Sequence, residues 1–180
     1  MLFSLGADLN DTPPPLGAAC WGTGQAEQNT RIIDVLVSAG ADLGARDDAG
    51  WSLLHRATMP YSHGAGFASS DGVNLPAVEA LLRHGTTPDP LGSGDVTPLM
   101  LAAGEADIDC VRSLLAAEAD PTRLDRQART AADHAGQTER LMAELLPGAP
   151  GDVDEAYIRR LLDARRCAEL LAKPPRRRRR

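Results

Sequence analysis

Thr97-Pro98-Leu99-Met100-Leu101-Ala102-Ala103, followed by Val111-Arg112-Ser113-Leu114-Leu115 and then Glu118-Ala119-Asp120, is the stretch that decides the fold. Thr97 stands before a helical run, where its hydroxyl can accept from free backbone N–H groups. Pro98 takes a first-turn position that needs no N–H donor. Leu99, Ala102 and Ala103 form an i, i+3, i+4 stripe, and the alanines let a neighbouring helix come close. Val111, Leu114 and Leu115 repeat that spacing, which predicts a second helix.

Working outward, both phrases recur. The closing phrase is also found as Leu5-Gly6-Ala7-Asp8, Ala39-Gly40-Ala41-Asp42 and His84-Gly85-Thr86-Thr87, with steps of 34, 45 and 33 residues between Gly6, Gly40, Gly85 and Glu118. Ile33-Leu36-Val37 and Val78-Leu81-Leu82 precede two of these as Val111-Leu114-Leu115 precedes the last. The opening phrase returns as Ser52-Leu53-Leu54-His55-Arg56-Ala57 and as Thr130-Ala131-Ala132-Asp133-His134-Ala135. Its third residue lies 14 positions past the marker each time, from Gly40 to Leu54, Gly85 to Leu99 and Glu118 to Ala132. A fixed interval joining two different phrases is the signature of a repeat architecture. Gly40 and Gly85 stand where a left-handed helix cap is expected. Asp47-Asp48-Ala49-Gly50 has the Asp-first, Gly-fourth pattern of a type I turn. Each unit therefore reads as helix, short turn, helix and projecting turn.

At these residues the chain resembles the ankyrin repeat family, whose motif joins an Asp/Gly turn to Thr-Pro-Leu-His-x-Ala and Val-x-x-Leu-Leu-x-x-Gly-Ala-Asp. The resemblance covers about residues 1–146 and is closest from Thr97 to Asp120. It implies an all-α helical repeat solenoid with projecting β-turn fingers. We expect a truncated unit over 1–10, units over 11–43, 44–88 and 89–121, and a degenerate last one over 122–146. After Pro147-Gly148-Ala149-Pro150-Gly151, a capping helix is expected over 152–172, opened by Asp152 and Glu155 and with an apolar face of Val153, Ile158, Leu161, Leu162 and Leu170. Residues 173–180 form a basic tail expected to be disordered.

Two units depart from the pattern by insertions of 5 and 12 residues between their helices, within Trp21–Thr30 and Thr58–Leu75. Both are rich in glycine and polar residues and read as solvated loops. Trp21, Tyr61 and Phe67 lie in them, either folded back over their own helices or offered as a second contact surface. Met1 falls inside what reads as the second helix of a unit. Either the chain starts within a repeat, or a partner or second copy covers that face. With three fuller units the stack is near the minimum for such folds, which predicts marginal stability; a melt above roughly 75 °C would contradict it, since ordinary domains cluster at about 45–65 °C.

Composition narrows the function. The chain has 180 residues, 43% hydrophobic and only 3% aromatic, so its core must be built from Leu, Ala, Val and Ile. No apolar run approaches the length of a membrane span, and the N-terminus lacks the features of a signal peptide. Cys20, Cys110 and Cys167 are widely separated and odd in number, which fits small buried fillers in a reducing cytosol. Lys173 and Arg176 to Arg180 supply six positive charges, leaving 13 basic and 25 acidic side chains in the other 172 residues. An acidic body with a basic tail is not the profile of a nucleic-acid-binding fold.

His55, His63, His84 and His134 show no spacing suited to metal ligation. There is no nucleophile elbow, dinucleotide fingerprint or phosphate loop, and no cofactor is implied. The resemblance gives His55 the role of hydrogen-bonding neighbouring turns. It also implies a non-catalytic protein–protein interaction module, whose fingers and first helices line a concave groove; the cysteine usage makes the expected location cytoplasmic. The positions that correspond are Arg46, Asp48, Trp51 and Arg56, then Ser93, Val96 and Leu101, then Arg126, Arg129 and His134. Of these, Arg46, Asp48, Trp51, Arg56, Val96, Leu101 and Arg129 are the expected partner contacts. For Trp51 two readings stand: an aromatic anchor for a partner, or filler against an adjacent turn. The alternatives are association with RNA or another polyanion through Arg176–Arg180, and a regulatory fragment of a larger enzyme. The partner's identity and the oligomeric state are not readable.

Overall fold

In the computed structural model, the described residues are 15–20, 26–59, 73–145 and 155–172. They form eight helices: α1 (Pro15–Cys20), α2 (Ala26–Ser38), α3 (Leu53–Thr58), α4 (Leu75–Arg83), α5 (Pro98–Gly104), α6 (Ile108–Ala116), α7 (Ala131–Leu145) and α8 (Glu155–Leu171). The protein is all-α among these residues. Its one β-type pairing there is an antiparallel bridge between Arg46 and Ser52.

Helix starts follow hydroxyl, amide and carboxylate caps. Ser52 Oγ accepts from the backbone N–H of His55 at 3.4 Å, Thr97 Oγ1 from Met100 at 3.3 Å and Thr130 Oγ1 from Asp133 at 3.3 Å. Asn74 and Asp107 do the same for α4 and α6, accepting from Ala77 at 3.2 Å and Cys110 at 2.9 Å. Each cap satisfies one of the donors that a helix N-terminus leaves free.

Helix ends share one device. Ala41 N–H donates to the Leu36 carbonyl and Gly40 N–H to that of Val37, both at 3.0 Å. The pattern is repeated at Gly85/Thr86, Ala106/Asp107 and Glu118/Ala119. This paired closure requires a left-handed residue. Gly40 (φ 94°) and Gly85 (φ 88°) meet that need without strain, whereas Ala106 (φ 61°) and Glu118 (φ 69°) meet it with a side chain.

Consecutive helices pair as α1–α2, α3–α4, α5–α6 and α7–α8. Across pairs, α1, α3, α5 and α7 touch in succession, as do α2, α4, α6 and α8. The core runs between these two rows. Leu54, Ala57, Ala77, Val78, Leu81, Leu99, Ala102, Ala103, Cys110, Val111 and Leu114 are wholly buried. Alanines at the inter-row positions allow the close approach that Leu side chains alone would prevent.

Two expectations need correction. The first insertion is not all loop: Ala26–Thr30 is helical, and α2 has 13 residues where α4 and α6 have nine. Ala26, Glu27 and Gln28 are strong helix formers, so the extra residues lengthen the helix. At the second insertion, Thr58 ends α3, donating to the His55 carbonyl at 2.9 Å, and Asn74 caps α4. The other correction concerns α8, which buries Ala164, Cys167 and Leu171, while Ile158 and Leu162 stay 44% and 48% exposed. It packs against α5, α6 and α7, and its small side chains admit that closeness. Trp21, Tyr61, Phe67, Asp152 and Val153 lie outside the described residues, as do 1–14 and 173–180.

Candidate partner-binding surface

Three fingers project between the helix pairs, and their hydrogen bonding repeats residue for residue. Asp47 N–H donates to the Trp51 carbonyl (3.0 Å), Gly92 N–H to Val96 (2.9 Å) and Asp125 N–H to Arg129 (3.0 Å). Gly50 N–H then closes onto Asp47 (2.8 Å), Asp95 onto Gly92 (3.1 Å) and Ala128 onto Asp125 (2.9 Å). The closing residue is left-handed each time, at φ 79°, 59° and 57°.

In the first finger the Asp47 carboxylate accepts from the backbone N–H groups of Ala49 (3.0 Å) and Trp51 (2.9 Å). Asp125 does the same in the third with Gln127 and Arg129, both at 2.9 Å. These side-chain turns fix the loop backbone from within. Asp47 also pairs with Arg56, and Asp125 with Arg129 (2.8 Å) and His134 Nε2 (3.0 Å). Asp125 is buried, which favours its neutral form, but hydrogen bonds from Arg129 and His134 outweigh this and hold its carboxyl well below the usual range. Burial likewise opposes the ionised Asp47, and bonds from Trp51 and Arg56 overcome it, so its carboxyl is also depressed.

The middle finger has Gly92 in place of Asp, and Leu101 where the others have Arg56 and His134. Trp51 is the reason. Its ring lies against Gly92, and a Cβ there would overlap Cε3 and Cζ3 of the indole. Trp51 also meets His55 edge-on, with ring centroids 5.1 Å apart at 63°. His55 is wholly buried. Its Nδ1 lies 2.7 Å from Ser52 Oγ and its Nε2 lies 3.0 Å from the Val96 carbonyl, in the next finger. Because a carbonyl can only accept, Nε2 carries the proton and Nδ1 accepts from the serine. Burial is the main cause that lowers the His55 pKa to about 4, with Arg46 and Arg56 adding to it against the Val96 carbonyl.

The fingers are tied to one another as well. Arg46 Nη1 bridges the carbonyls of Gly50 (2.7 Å) and Leu91 (2.8 Å). Arg126 donates from its backbone to Gly94 (2.9 Å) and from Nε to Asp95 (3.1 Å). Asp120 N–H donates to the Asp89 carboxylate at 3.0 Å.

The expected contact residues thus divide. Arg46, Arg56 and Arg129 carry finger-holding bonds, with Arg129 also reaching Gln127 (2.9 Å) and Gln137 (3.1 Å). Val96 is half-buried against the core and accepts from His55. Trp51 is half-buried, with its ring against Gly92 of the next finger. Asp48 and Ser93 are exposed, and Leu101 is half-buried on α5.

Two residues not singled out from sequence stand out here. Leu91 and Leu124 are 41% and 55% exposed, each six residues past its marker, where Arg46 stands in the first finger. That register was the signal available. Among the described residues no group of His, Cys, Asp and Glu is placed to hold a metal, and no helix is long and apolar enough to cross a membrane.

The ankyrin repeat family model matches residues 95–126, which take in α5, α6 and the base of the third finger. Among curated proteins no match is found. The matched segment holds the capped helix pair and its left-handed closure, and with it the chain carries an ankyrin repeat.

Proposed function

We propose that this protein is a non-catalytic protein-binding module of a cytoplasmic solenoid, whose partner docks along the finger side of the stack. Ankyrin repeats in general serve as protein-interaction scaffolds, which supports the class of function. The observation that carries the surface is the pair Leu91 and Leu124: large apolar side chains held in water at matching positions of successive fingers. They are 41% and 55% exposed, so covering them recovers about half of what complete burial of such a side chain is worth, roughly 1 kcal/mol each. The fingers are cross-braced, so little ordering entropy is lost on binding. Asp48, Trp51 and Leu101 complete the surface, while Arg46, Arg56, Val96 and Arg129 hold it in shape.

The test is capture of protein partners by the intact chain and by a Leu91→Ser/Leu124→Ser double variant. Loss of the same partners by a variant with unchanged helical signal and melting temperature is the expected result. Undiminished capture would move the interface elsewhere, to the insertions or to residues 173–180.

A further inference from the structure

α7 and α8 are the last described pair of the stack, and the side they turn away from α5 and α6 is open. On α7, Ala131 and Ala135 are buried, and Thr138 Oγ1 donates to the Gly104 carbonyl of α5 at 2.7 Å. The other side of α7 lines a groove of about 490 Å³, with Asp133, Gln137 and Leu141 in its wall. On α8, Ala164, Cys167 and Leu171 are buried, and Ile158 and Leu162 lie roughly 120–160° round the helix from Ala164. Tyr157 Oη donates to the Met142 carbonyl, which joins the two helices one residue from Ile158 and one from Leu141. Leu141, Leu145, Ile158 and Leu162, 44–65% exposed, are thus gathered at one end of the stack.

The chemistry of this face selects its occupant. Asp133 stands at the position of His55, which reaches the following finger through Nε2, and of Met100, which is wholly buried. Asp133 is exposed and bound to its own helix cap, accepting from Thr130 N–H at 2.8 Å and from Thr130 Oγ1 at 2.7 Å. A further repeat stacked here would have to bury that carboxylate, which is costly without a new partner. Around the apolar residues the charges cancel. Arg140 and Glu144 flank them on α7, and Glu155 with Arg159 and Arg165 with Glu169 flank them on α8, each pair four residues apart. Residues 1–172 as a whole hold 13 basic and 25 acidic side chains, so two copies repel over most of their surface but not here. Pairs of opposite sign are also self-complementary: under a two-fold axis that sets α7 antiparallel to its copy, Arg140 of each chain faces Glu144 of the other.

We propose that this face pairs with the same face of a second copy, giving a two-fold dimer whose seam is built from α7 and α8 of each chain. At 15 and 17 residues the helices are about 22 and 25 Å long, and side by side they offer a face approaching the roughly 800 Å² per partner of a standard interface. Leu91 and Leu124 take no part in it, so the dimer carries two finger faces.

Sedimentation equilibrium of the full-length chain from about 1 to 100 µM tests this. The expected mass rises from one chain to two and no further. Leu141→Glu with Ile158→Glu, at side chains about half exposed, should keep the helical signal and raise the dissociation constant on the order of a hundredfold. Arg140→Glu should raise it about tenfold, and adding Glu144→Arg should restore it. Leu91→Ser with Leu124→Ser should leave it unchanged. A single-chain mass throughout, or a dimer indifferent to Leu141→Glu with Ile158→Glu, would overturn the seam. Growth beyond two chains, or indifference to Arg140→Glu, would overturn the two-fold pairing.

Discussion

Trp51 and Gly92 are complementary: the indole occupies the space a side chain at position 92 would need, and Nε2 of His55 stands only 3.0 Å from that same Cβ site. Two fingers carry an aspartate at this position, with a basic partner nine residues on: Asp47 with Arg56, Asp125 with His134. The middle finger replaces both members, with Gly92 and Leu101, and fills the gap from the preceding unit.

Gly92→Ala is therefore expected to destabilise the protein by about 1–3 kcal/mol through overpacking against the ring. Trp51→Ala removes the obstruction and leaves a cavity. The two changes together should cost less than their sum, since each relieves the other. Urea unfolding of the four chains measures this, and strict additivity would show that ring and glycine are not in contact.

The left-handed positions make a prediction of opposite sign. Glu118 is exposed, has φ 69°, and closes α6 where Gly40 and Gly85 close α2 and α4. A side chain in this conformation costs roughly 1–2 kcal/mol, part of which the greater freedom of glycine when unfolded takes back. Glu118→Gly should thus raise stability by about 0.5–1 kcal/mol, read as a higher urea midpoint at an unchanged slope. A lower midpoint would contradict the cap geometry.

His55 makes stability depend on pH. Its pKa of about 4 in the folded protein lies below its unfolded value near 6.5, so the unfolded chain binds the extra proton between them. Its contribution is whole above about pH 6.5 and is lost as pH falls toward 4, a change on the order of 3 kcal/mol. His55→Met copies Met100 at the matching position of the next unit, whose Sδ accepts from Thr97 N–H at 3.4 Å. This variant should be flatter over that window. Asp89 and Asp107, whose carboxyls burial pushes up, act in the opposite sense near pH 4 in both chains and cancel in the comparison. An equal pH slope in the two would show that His55 is not the titrating group.

Asp125 works at lower pH. Its carboxyl is depressed in the fold, so its contribution is present above the ordinary carboxylate range and falls away below about pH 4. Asp125→Asn leaves Arg129 and His134 facing a neutral amide and should cost about 2–4 kcal/mol at neutral pH. Asp47→Asn should cost less, because that carboxylate is partly exposed and solvent already screens its pair with Arg56. Thermal melts of the two variants rank them, and the reverse order would contradict the burial argument.

Much of this was legible in the sequence because repeats announce themselves by spacing. Ser52, Thr97 and Thr130 as caps, Pro98 in the first turn and Gly40 and Gly85 as left-handed closures all follow from local chemistry. The face that α8 buries was not legible, because Ile158 and Leu162 are more apolar than Ala164 and Cys167, and only the packing against α5, α6 and α7 selects the smaller pair. Helix at Ala26–Thr30 was masked by the neighbouring glycines. For the binding surface, residue type pointed to arginines and a tryptophan. Arg46, Arg56 and Arg129 prove to hold the fingers, a distinction that rests on distances between units. Leu91 and Leu124 emerge only when register and exposure are taken together.

If the cross-braced fingers that carry the exposed Leu91 and Leu124 form the partner-binding face, a bound partner must shield them from solvent. Hydrogen exchange of the chain with and without a captured partner tests it most directly. Added protection concentrated at residues 91–96 and 122–129, with little change along α8, is the expected result. Protection confined to α8, with the fingers exchanging as they do in the free chain, would contradict it.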